Sequence, residues 1–261
     1  MKTKIGIFGH GRIGSSLAKK IQEDELLELG FVYDVNQEKT KSVDAALLLQ
    51  EPKDFDKFNV DLVVEAADAR AVRALAPDVL KKVDMLILSV TALADKTMED
   101  ELRKVCEENQ TKLYIPHGAI VGIDGIQDAR EVLEEVSITT TKHPRNLDFS
   151  YTDEFDRESI TKETVVYEGP TREVCKFFPR NVNVHAVLAL AGLGFDRTSS
   201  KLIANPNLEE AVHHIVAKSS NMTLDLKISS KIKGVTGAFT LVSVFGTIKR
   251  IAAKKYGIHI F

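Results

Sequence analysis

The sequence contains only two cysteines, Cys106 and Cys175, and they lie too far apart in its 261 residues to form a C-x-x-C pair. This scarcity disfavours a disulfide framework and a zinc cluster, so we expect no metal site. No segment contains the roughly 18 consecutive apolar residues that a membrane-spanning helix needs. We therefore expect a soluble protein of a reducing compartment, the cytoplasm, with no membrane partner.

An excess of charge of one sign is also missing. Charged residues make up 28% of the chain, but acidic and basic residues nearly balance at a net charge of −3. No basic stretch follows the pattern of a nucleic-acid-binding surface, so we expect no nucleic-acid partner. Hydrophobic residues at 44% are enough for real cores, and the chain length allows one large domain or two modest ones.

The first half of the chain alternates short apolar runs with longer amphipathic stretches. Apolar residues at helical spacing predict helices over residues 69–82 and 97–110. The short runs predict buried strands: KIGIFG (4–9), LGFVYDV (29–35), VDLVVEAA (60–67), VDMLILSV (83–90) and TKLYIP (111–116). Strands that alternate with helices indicate an α/β fold with a doubly wound parallel sheet of the Rossmann type.

After Pro116 most strands are separated by turns instead of helices. A turn-rich segment over residues 117–126 leads into a predicted helix that ends at about residue 135. The remaining predicted elements are strands over 136–143, 164–169, 199–204, 211–218 and 222–229, and helices near 171–178 and 182–192. We therefore predict a second, α+β domain over residues 118–234. A last helix over 238–255 returns to a first domain of residues 1–117 and 235–261.

A glycine-rich loop joins the first predicted strand to the first helix in IGIFGHGRIG (5–14). Gly9 permits a tight turn, Gly11 lets a pyrophosphate approach the backbone, and Gly14 lets the helix pack closely on the strand. The backbone amides that begin the helix, including those of Arg12 and Ile13, are expected to face the pyrophosphate. This strand–loop–helix context predicts a dinucleotide site.

Asp34 stands at the end of the second predicted strand, 20 residues after the last glycine of the loop. This is the position of the acid that binds the adenosine ribose hydroxyls in such sites. Because its charge repels the extra phosphate of NADP, NAD is the predicted cofactor. Arg12 and Lys39 lie nearby in sequence and could hold that phosphate, so use of NADP stays open. Turns after the third and fourth strands place Ala66 and Ser89 along the nicotinamide ribose.

Three further segments resemble the L-aspartate dehydrogenase family: PHGAIVGIDGI (116–126), FPRNVNVHAVLALAG (178–192) and ANPNLEEAVHHI (204–215). With the glycine loop, the resemblance covers nearly the whole chain. It implies an enzyme that oxidises the CH–NH2 group of L-aspartate with NAD(P). The product, iminoaspartate, hydrolyses to oxaloacetate and ammonia or feeds NAD biosynthesis. The resemblance also implies a homodimer and a substrate cleft between the two domains, so that residues 118–234 would form the substrate and dimerisation domain.

The resemblance assigns the catalytic, proton-handling role to His213. Histidine suits this task because its ordinary pKa lies near neutrality. His213 and His214 are adjacent on a predicted strand, so their side chains must point to opposite faces. For His185, inside the helix over 182–192, a core or dimer-interface role is favoured.

Asn181 and Asn183 stand before an alanine- and leucine-rich helix. One of them could cap that helix. Alternatively, they hydrogen-bond the nicotinamide carboxamide or a substrate carboxylate. We assign both to the substrate, Asn183 also to the cofactor, and Ala119 of the GAI segment to both ligands. A dicarboxylate also needs cationic partners, and the basic residues that flank these motifs are Lys142, Arg145 and Arg180.

The substrate half of the chain departs from the family pattern at several positions. Ala211 stands where the family has an asparagine, and Asn205 stands where it has an acid. KGVTG (233–237) replaces the family's NPKTS segment and preserves only Thr236. Two alternatives therefore stay open: a dehydrogenase of another small amino or keto acid, and a dinucleotide-binding protein that does not catalyse a reaction.

Overall fold

A parallel sheet forms the centre of the first of two units. The computed structural model describes residues 2–233 and 236–253, of which this unit comprises residues 2–92, 96–116 and 243–253. Its elements in chain order are β1 (Thr3–Phe8), α1 (Arg12–Gln22), β2 (Leu27–Tyr33), β3 (Leu62–Glu65), α2 (Ala69–Leu80), β4 (Asp84–Ile87), α3 (Lys96–Asn109) and β5 (Leu113–Tyr114).

The sheet of the first unit has the strand order β2-β1-β3-β4-β5, and all neighbouring strands are parallel. Ile5 and Ile7 on β1 and Val63 and Val64 on β3 are fully buried, which explains why the sequence reads as continuous apolar runs. The strand order reverses at β1, which lies between β2 and β3. Ligands of doubly wound sheets bind at such a switch point. The Rossmann-type sheet predicted from the sequence is confirmed.

The fifth strand is shorter than predicted. Of the apolar segment over residues 111–116, only Leu113 and Tyr114 pair with β4, and β5 forms the edge of the sheet. Pro116 follows immediately, and proline has no N–H to donate to a strand ladder. The predicted helices over 69–82 and 97–110 are confirmed, because α2 and α3 begin and end within two residues of those bounds.

The second unit comprises residues 93–95, 117–233 and 236–242. Its elements are α4 (Ile123–Asp128), β6 (Glu135–Lys142), β7 (Thr164–Pro170), α5 (Thr171–Phe177), α6 (Asn183–Ala191), β8 (Thr198–Ala204), β9 (Glu210–Lys218), β10 (Thr223–Lys233), β11 (Thr236–Gly237) and the first residues of α7 (Ala238–Ala252). The sheet order is β11-β10-β9-β6-β8-β7, in which only β6 and β8 are parallel. The predicted α+β class is confirmed.

One face of this mixed sheet is covered by helices. α6 packs on β6 and β8, and α5 packs on β8. Burial alternates along β6, so Val136, Ile138, Thr140 and Lys142 face the covered side. The strand therefore directs a hydroxyl and an ammonium group into the core of the second unit, where polar groups need partners.

Two predicted helices differ in extent from the observed ones. The helix expected to end at about residue 135 is wrong in length, because α4 ends at Asp128 and turns follow. In the segment that follows, Leu133 is buried while Val132 is 61% exposed. The last predicted helix, over 238–255, is observed as α7, and residues 254 and 255 lie outside the described residues.

Candidate active site

At two of the three glycines in the loop, a Cβ would collide with the protein's own backbone. Gly9 has a φ of +99°, and a Cβ there would lie 2.6 Å from the backbone of Ala66. A Cβ on Gly14 would lie 1.8 Å from the Gly9 carbonyl oxygen. A Cβ on Gly11, by contrast, would have no atom of the described residues within 4 Å apart from its chain neighbours. Gly11 therefore leaves open space beside the backbone, which fits the close approach of a pyrophosphate.

The N-terminus of α1 offers its backbone amides to a ligand. Gly11 is the N-cap and supplies no side-chain hydrogen bond, and the first turn of this fully described helix carries no acidic residue. The first amides of a helix need an acceptor and carry a partial positive charge. The amides of Arg12 and Ile13 therefore suit a diphosphate, and these residues fit a dinucleotide cofactor.

Asp34 immediately follows β2 and is held beside the glycine loop. Its Oδ2 accepts a hydrogen bond from the His10 amide at 2.8 Å, and its Oδ1 accepts one from the Asn36 amide at 2.8 Å. Lys39 Nζ lies 3.5 Å from Oδ2. Partial burial opposes ionisation, but the two amides and the Lys39 charge outweigh it and lower the pKa of Asp34. The carboxylate is therefore charged at neutral pH.

Glu65 is a buried acid whose importance the sequence reasoning missed. It ends β3, and its carboxylate accepts hydrogen bonds from the Ala67 amide at 2.7 Å and the Leu88 amide at 3.1 Å. It also accepts from the Ser89 amide at 3.0 Å and the Ser89 hydroxyl at 2.9 Å. Burial raises the pKa of Glu65 although these hydrogen bonds oppose the change. The residue joins the ends of β3 and β4, and thereby orders the turns at Ala66 and Ser89.

A sequence signal for Glu65 did exist, because an acid at the end of an otherwise apolar strand needs partners. The prediction for the turn after the third strand concerned Ala66 alone. Ser89 gives its hydroxyl proton to Glu65. The Ser89 amide also donates to Glu65, and the Ser89 carbonyl oxygen accepts from the Ala92 amide at 3.1 Å. Any contact of Ser89 with the cofactor therefore uses a lone pair of its hydroxyl or carbonyl oxygen.

His213 lies on the covered face of the second unit's sheet. It is 2% exposed, and its Nδ1 lies 2.8 Å from the Oγ1 of Thr140, its partner on the neighbouring strand. His214 points to the other face, where its Nε2 lies 2.8 Å from Asp225 Oδ1. The prediction that the two histidines face opposite sides is confirmed.

Lys142 provides a buried cation near His213. Its Nζ donates to the Asn181 carbonyl oxygen at 3.2 Å, and burial lowers the pKa of Lys142 to about 8. Burial, together with the charge of Lys142, lowers the pKa of His213 to about 3. The two other basic candidates differ, because Arg145 is exposed and Arg180 forms an exposed ion pair with Asp148 at 3.0 Å. His213 is therefore neutral at physiological pH.

The two candidate asparagines do not cap α6. Val182 is the N-cap of that helix, and no side chain supplies a cap hydrogen bond. The Asn181 side chain is buried and accepts from the Asp148 amide at 2.8 Å, while it donates to the Asn146 carbonyl oxygen at 3.0 Å. Asn181 therefore orders the loop after β6 and holds its own carbonyl oxygen towards Lys142.

Ala119 and Asn183 lie in neighbouring parts of the second unit. Asn183 is the first residue of α6, and Ala119 is buried in the segment that precedes α4. A Cβ on Gly118 would lie 3.4 Å from Val184 Cγ1, so this segment lies beside the start of α6. Thr236 lies in β11, while residues 234 and 235 of the KGVTG segment lie outside the described residues.

The predicted site residues fall into two groups. The first unit holds the glycine loop and the strand-end residues: Gly9, Gly11, Arg12, Ile13, Gly14, Asp34, Ala66 and Ser89. The second unit holds Ala119, Asn181, Asn183 and His213. The ligand roles of both groups stay predictions.

Other chemistries find little support in the described part of the chain. Residues 2–233 and 236–253 contain no group of three or more His, Cys, Asp or Glu that could hold a metal ion. Within those same ranges, no helix combines the length and apolarity needed to cross a membrane. Cys106 and Cys175 are free thiols, and burial raises the pKa of Cys175 to about 12. Cys175 is therefore a protonated thiol and a poor nucleophile at neutral pH.

Two family models match adjoining parts of the chain. The NAD-binding domain of homoserine dehydrogenase matches residues 9–116, which include the glycine loop and Asp34. The C-terminal domain of aspartate dehydrogenase matches residues 124–251, which include Lys142 and His213.

Relatives and solved structures resemble the chain over nearly its full length. The L-aspartate dehydrogenases of Nitrosopumilus maritimus and Methanococcoides burtonii are 34% and 36% identical to it. Each alignment covers 95% of this chain, with 96% and 97% of the relative. The crystal structure of Thermotoga maritima aspartate dehydrogenase superposes with a TM-score of 0.77 at 26% identity, over 98% of this chain and all of that one.

A more distant solved structure shares the fold. A hyperthermophilic archaeal homoserine dehydrogenase in complex with NADPH gives a TM-score of 0.62 at 13% identity, over 96% of this chain and 97% of that one. Together with the closer matches, it confirms the architecture expected from the motifs. The chain belongs to the L-aspartate dehydrogenase family.

Proposed function

We propose that this protein is an NAD(P)-dependent L-aspartate dehydrogenase. It oxidises the CH–NH2 group of L-aspartate to iminoaspartate, which water converts to oxaloacetate and ammonia. The observation that carries the proposal is a neutral, buried His213 near the buried cation Lys142. Both residues lie in the region that matches the aspartate dehydrogenase C-terminal model.

The first unit is the dinucleotide-binding domain. The amides that begin α1 bind the pyrophosphate, Gly11 leaves it room, and Asp34 accepts hydrogen bonds from the adenosine ribose hydroxyls. Lys39, 3.5 Å from Asp34, is placed to form an ion pair with the additional phosphate of NADP. When bound, the nicotinamide supplies the hydride acceptor.

The second unit supplies the substrate chemistry. His213 is neutral and can take a proton from the substrate amine or from the attacking water. Lys142 in its cationic form attracts a substrate carboxylate, and its hydrogen bond to the Asn181 carbonyl oxygen fixes the ammonium group. Ala119 and Asn183, beside the start of α6, line the same binding region in this proposal.

Steady-state assays with the purified protein test the substrate. L-Aspartate, other small amino acids, and keto acids with ammonia are each supplied with NAD(H) or NADP(H), and nicotinamide reduction or oxidation is followed by fluorescence. We expect the highest kcat/KM with L-aspartate. A higher kcat/KM with another acid would reassign the substrate. Tight NADH binding without turnover on any of them would favour a non-catalytic dinucleotide-binding protein.

We also propose that the enzyme is a cytoplasmic homodimer whose iminoaspartate feeds NAD biosynthesis. The free thiols agree with a reducing compartment. Sedimentation at several concentrations, with and without NADH, measures the oligomeric state. A particle with the mass of a single chain at all concentrations would contradict the homodimer.

A further inference from the structure

A row of buried hydroxyl and imidazole groups leads away from His213 through the core of the second unit. His213 Nδ1 lies 2.8 Å from Thr140 Oγ1, and the same oxygen lies 2.7 Å from His185 Nε2. Thr140 belongs to β6 and His185 to α6, so the row crosses from the sheet into the helix that covers it. Thr140 and His185 are fully buried.

The row continues from His185 to a backbone carbonyl. His185 Nδ1 lies 2.9 Å from Ser200 Oγ, which lies 2.7 Å from Thr171 Oγ1. Thr171 Oγ1 in turn lies 3.0 Å from the carbonyl oxygen of Thr198. We call the groups of His213, Thr140, His185, Ser200 and Thr171 the hydroxyl–imidazole chain.

The carbonyl at the end of this chain sets the direction of its first hydrogen bonds. A carbonyl oxygen only accepts, and a hydroxyl has one proton, so Thr171 donates that proton to Thr198. Ser200 must then donate to Thr171. With its proton used, Ser200 accepts from His185, which therefore carries its proton on Nδ1.

By the same reasoning, the hydrogen bonds from His185 through Thr140 to His213 have defined donors and acceptors. Burial, with the nearby His213 and Lys142, lowers the pKa of His185 well below its ordinary value, so the ring is neutral. Its Nε2 is then an acceptor and takes the proton of the Thr140 hydroxyl. Thr140 has no second proton to donate, so its oxygen accepts the Nδ1–H of His213.

The opposite direction leaves one contact without a proton. If Thr171 donated to Ser200, its oxygen would face the Thr198 carbonyl oxygen at 3.0 Å with no hydrogen between the two atoms. Two oxygen lone pairs would then meet inside a buried core, where such a contact is unfavourable. The hydrogen bonds of the hydroxyl–imidazole chain therefore have one favoured donor-to-acceptor direction.

We propose that the hydroxyl–imidazole chain, anchored on the Thr198 carbonyl, holds His213 in its Nδ1–H tautomer and leaves a lone pair on Nε2. Thr140, His185, Ser200 and Thr171 are thus positioning residues. The catalytic meaning of this tautomer rests on the proposed function. In that function, Nε2 takes the proton of the substrate amine or attacking water, giving an imidazolium whose Nδ1–H bond to Thr140 is unchanged. No partner for Nε2 is found in the described ranges 2–233 and 236–253, so its lone pair is free to accept.

Histidine NMR reads the tautomer without any enzymatic activity. The protein is labelled with nitrogen-15 at histidine, long-range correlation spectra identify the protonated nitrogen of each ring, and a His213→Asn variant assigns the signals of His213. We expect the proton of His213 on Nδ1 in the native protein. A proton on Nε2 would overturn the proposal.

Variants of the anchor test whether the chain sets the tautomer. Thr171→Val keeps the shape of the side chain but removes the hydroxyl, so we expect a mixed or reversed His213 tautomer. kcat for L-aspartate should fall about tenfold with little change in KM. Thr171→Ser should restore both readouts. A native spectrum or native kcat in Thr171→Val would count against the proposal.

A matched pair on β6 controls for simple loss of stability. Thr140→Val breaks the chain next to His213, whereas Thr139→Val removes a hydroxyl from the opposite face of the same strand. We expect only Thr140→Val to alter the tautomer and kcat, while NADH binding is retained in both. An Nδ1–H tautomer in a protein without turnover would refute the proposed function alone. An active enzyme with the Nε2–H tautomer would refute the present inference alone.

Discussion

The proposed dinucleotide site and the His213 region are built from different kinds of chemical group. Around the glycine loop, most of the polar groups are backbone amides. Some begin α1, and others donate hydrogen bonds that hold Asp34 in place. Around His213, side chains from β6, α6 and β9 meet in a buried cluster. The first kind of site needs particular residues at short spacing along the chain, whereas the second needs the correct folding of distant segments.

This difference predicts that loss of a single side chain lowers activity more in the His213 region than at the glycine loop. His213→Asn removes the proposed proton acceptor, and we expect kcat to fall about 100- to 10,000-fold while NADH affinity changes little. His214→Asn is the matched control, because it alters the neighbouring residue on the other face of β9. Stopped-flow kinetics and NADH titration measure the two quantities. Comparable losses in both variants would remove His213 from the mechanism.

At the glycine loop, we expect one glycine to affect the free energy of unfolding and another to affect NADH binding. A Cβ on Gly14 collides with the Gly9 carbonyl oxygen, so we expect Gly14→Ala to lower the free energy of unfolding by about 1–3 kcal/mol. A Cβ on Gly11 would lie more than 4 Å from every other described residue except its chain neighbours, and the φ of −75° at Gly11 suits alanine. Gly11→Ala should therefore leave the ligand-free stability nearly unchanged but weaken NADH binding.

Urea denaturation and NADH titration separate these two effects. If Gly11→Ala destabilised the ligand-free protein as much as Gly14→Ala, the open space beside Gly11 would have no special relation to a ligand. If neither variant weakened NADH binding, the pyrophosphate would have to bind elsewhere.

Asp34 and Lys39 are a side-chain pair beside the backbone amides of the glycine loop, and we expect this pair to set the preference between NAD and NADP. Asp34→Ser removes the charge that repels the additional phosphate of NADP and leaves Lys39 without its partner. We expect the ratio of NADPH to NADH affinity to rise at least about tenfold. The control Glu38→Gln removes a nearby exposed acid that pairs with Lys41. An unchanged ratio in Asp34→Ser would show that Asp34 does not discriminate the cofactors.

The smallest expected effect concerns the charge of Lys142. Burial lowers the pKa of Lys142 to about 8, so the side chain is cationic below that pH and becomes neutral as the pH rises through it. KM for L-aspartate should therefore increase a few-fold above pH 8, because the carboxylate loses its partner. His213 and His185 share the cluster and stay neutral over this range, since both have pKa values well below it.

The variant Lys142→Met tests that assignment. We expect a higher KM throughout and no further rise above pH 8. If the native enzyme instead gained activity as the pH rose through 8, the neutral amine of Lys142 would be acting as a base, and its assignment as a carboxylate partner would be wrong.

Much of the first unit was predictable because its information is local. Gly9, Gly11 and Gly14 follow the strand–loop–helix pattern, and β1 and β2 overlap the apolar runs that predicted them. Glu65 was missed, since its four hydrogen bonds come from turns at the ends of two strands that are distant in sequence. In the second unit the length of α4 was overestimated. After Asp128 the chain forms turns, and in this segment Leu133 is buried and Val132 is exposed, an arrangement that tertiary packing decides.

The amino-acid sequence by itself determined the Rossmann-type sheet, the glycine loop, the acid after β2 and the opposite orientation of His213 and His214, because these depend on short-range geometry. Tertiary structure alone decided that Lys142 is buried and that Thr140, His185, Ser200 and Thr171 form one chain that ends on the Thr198 carbonyl. Hydrogen-bond direction is a property of the whole connected set. It is therefore set only when strands and helices remote in sequence are packed together.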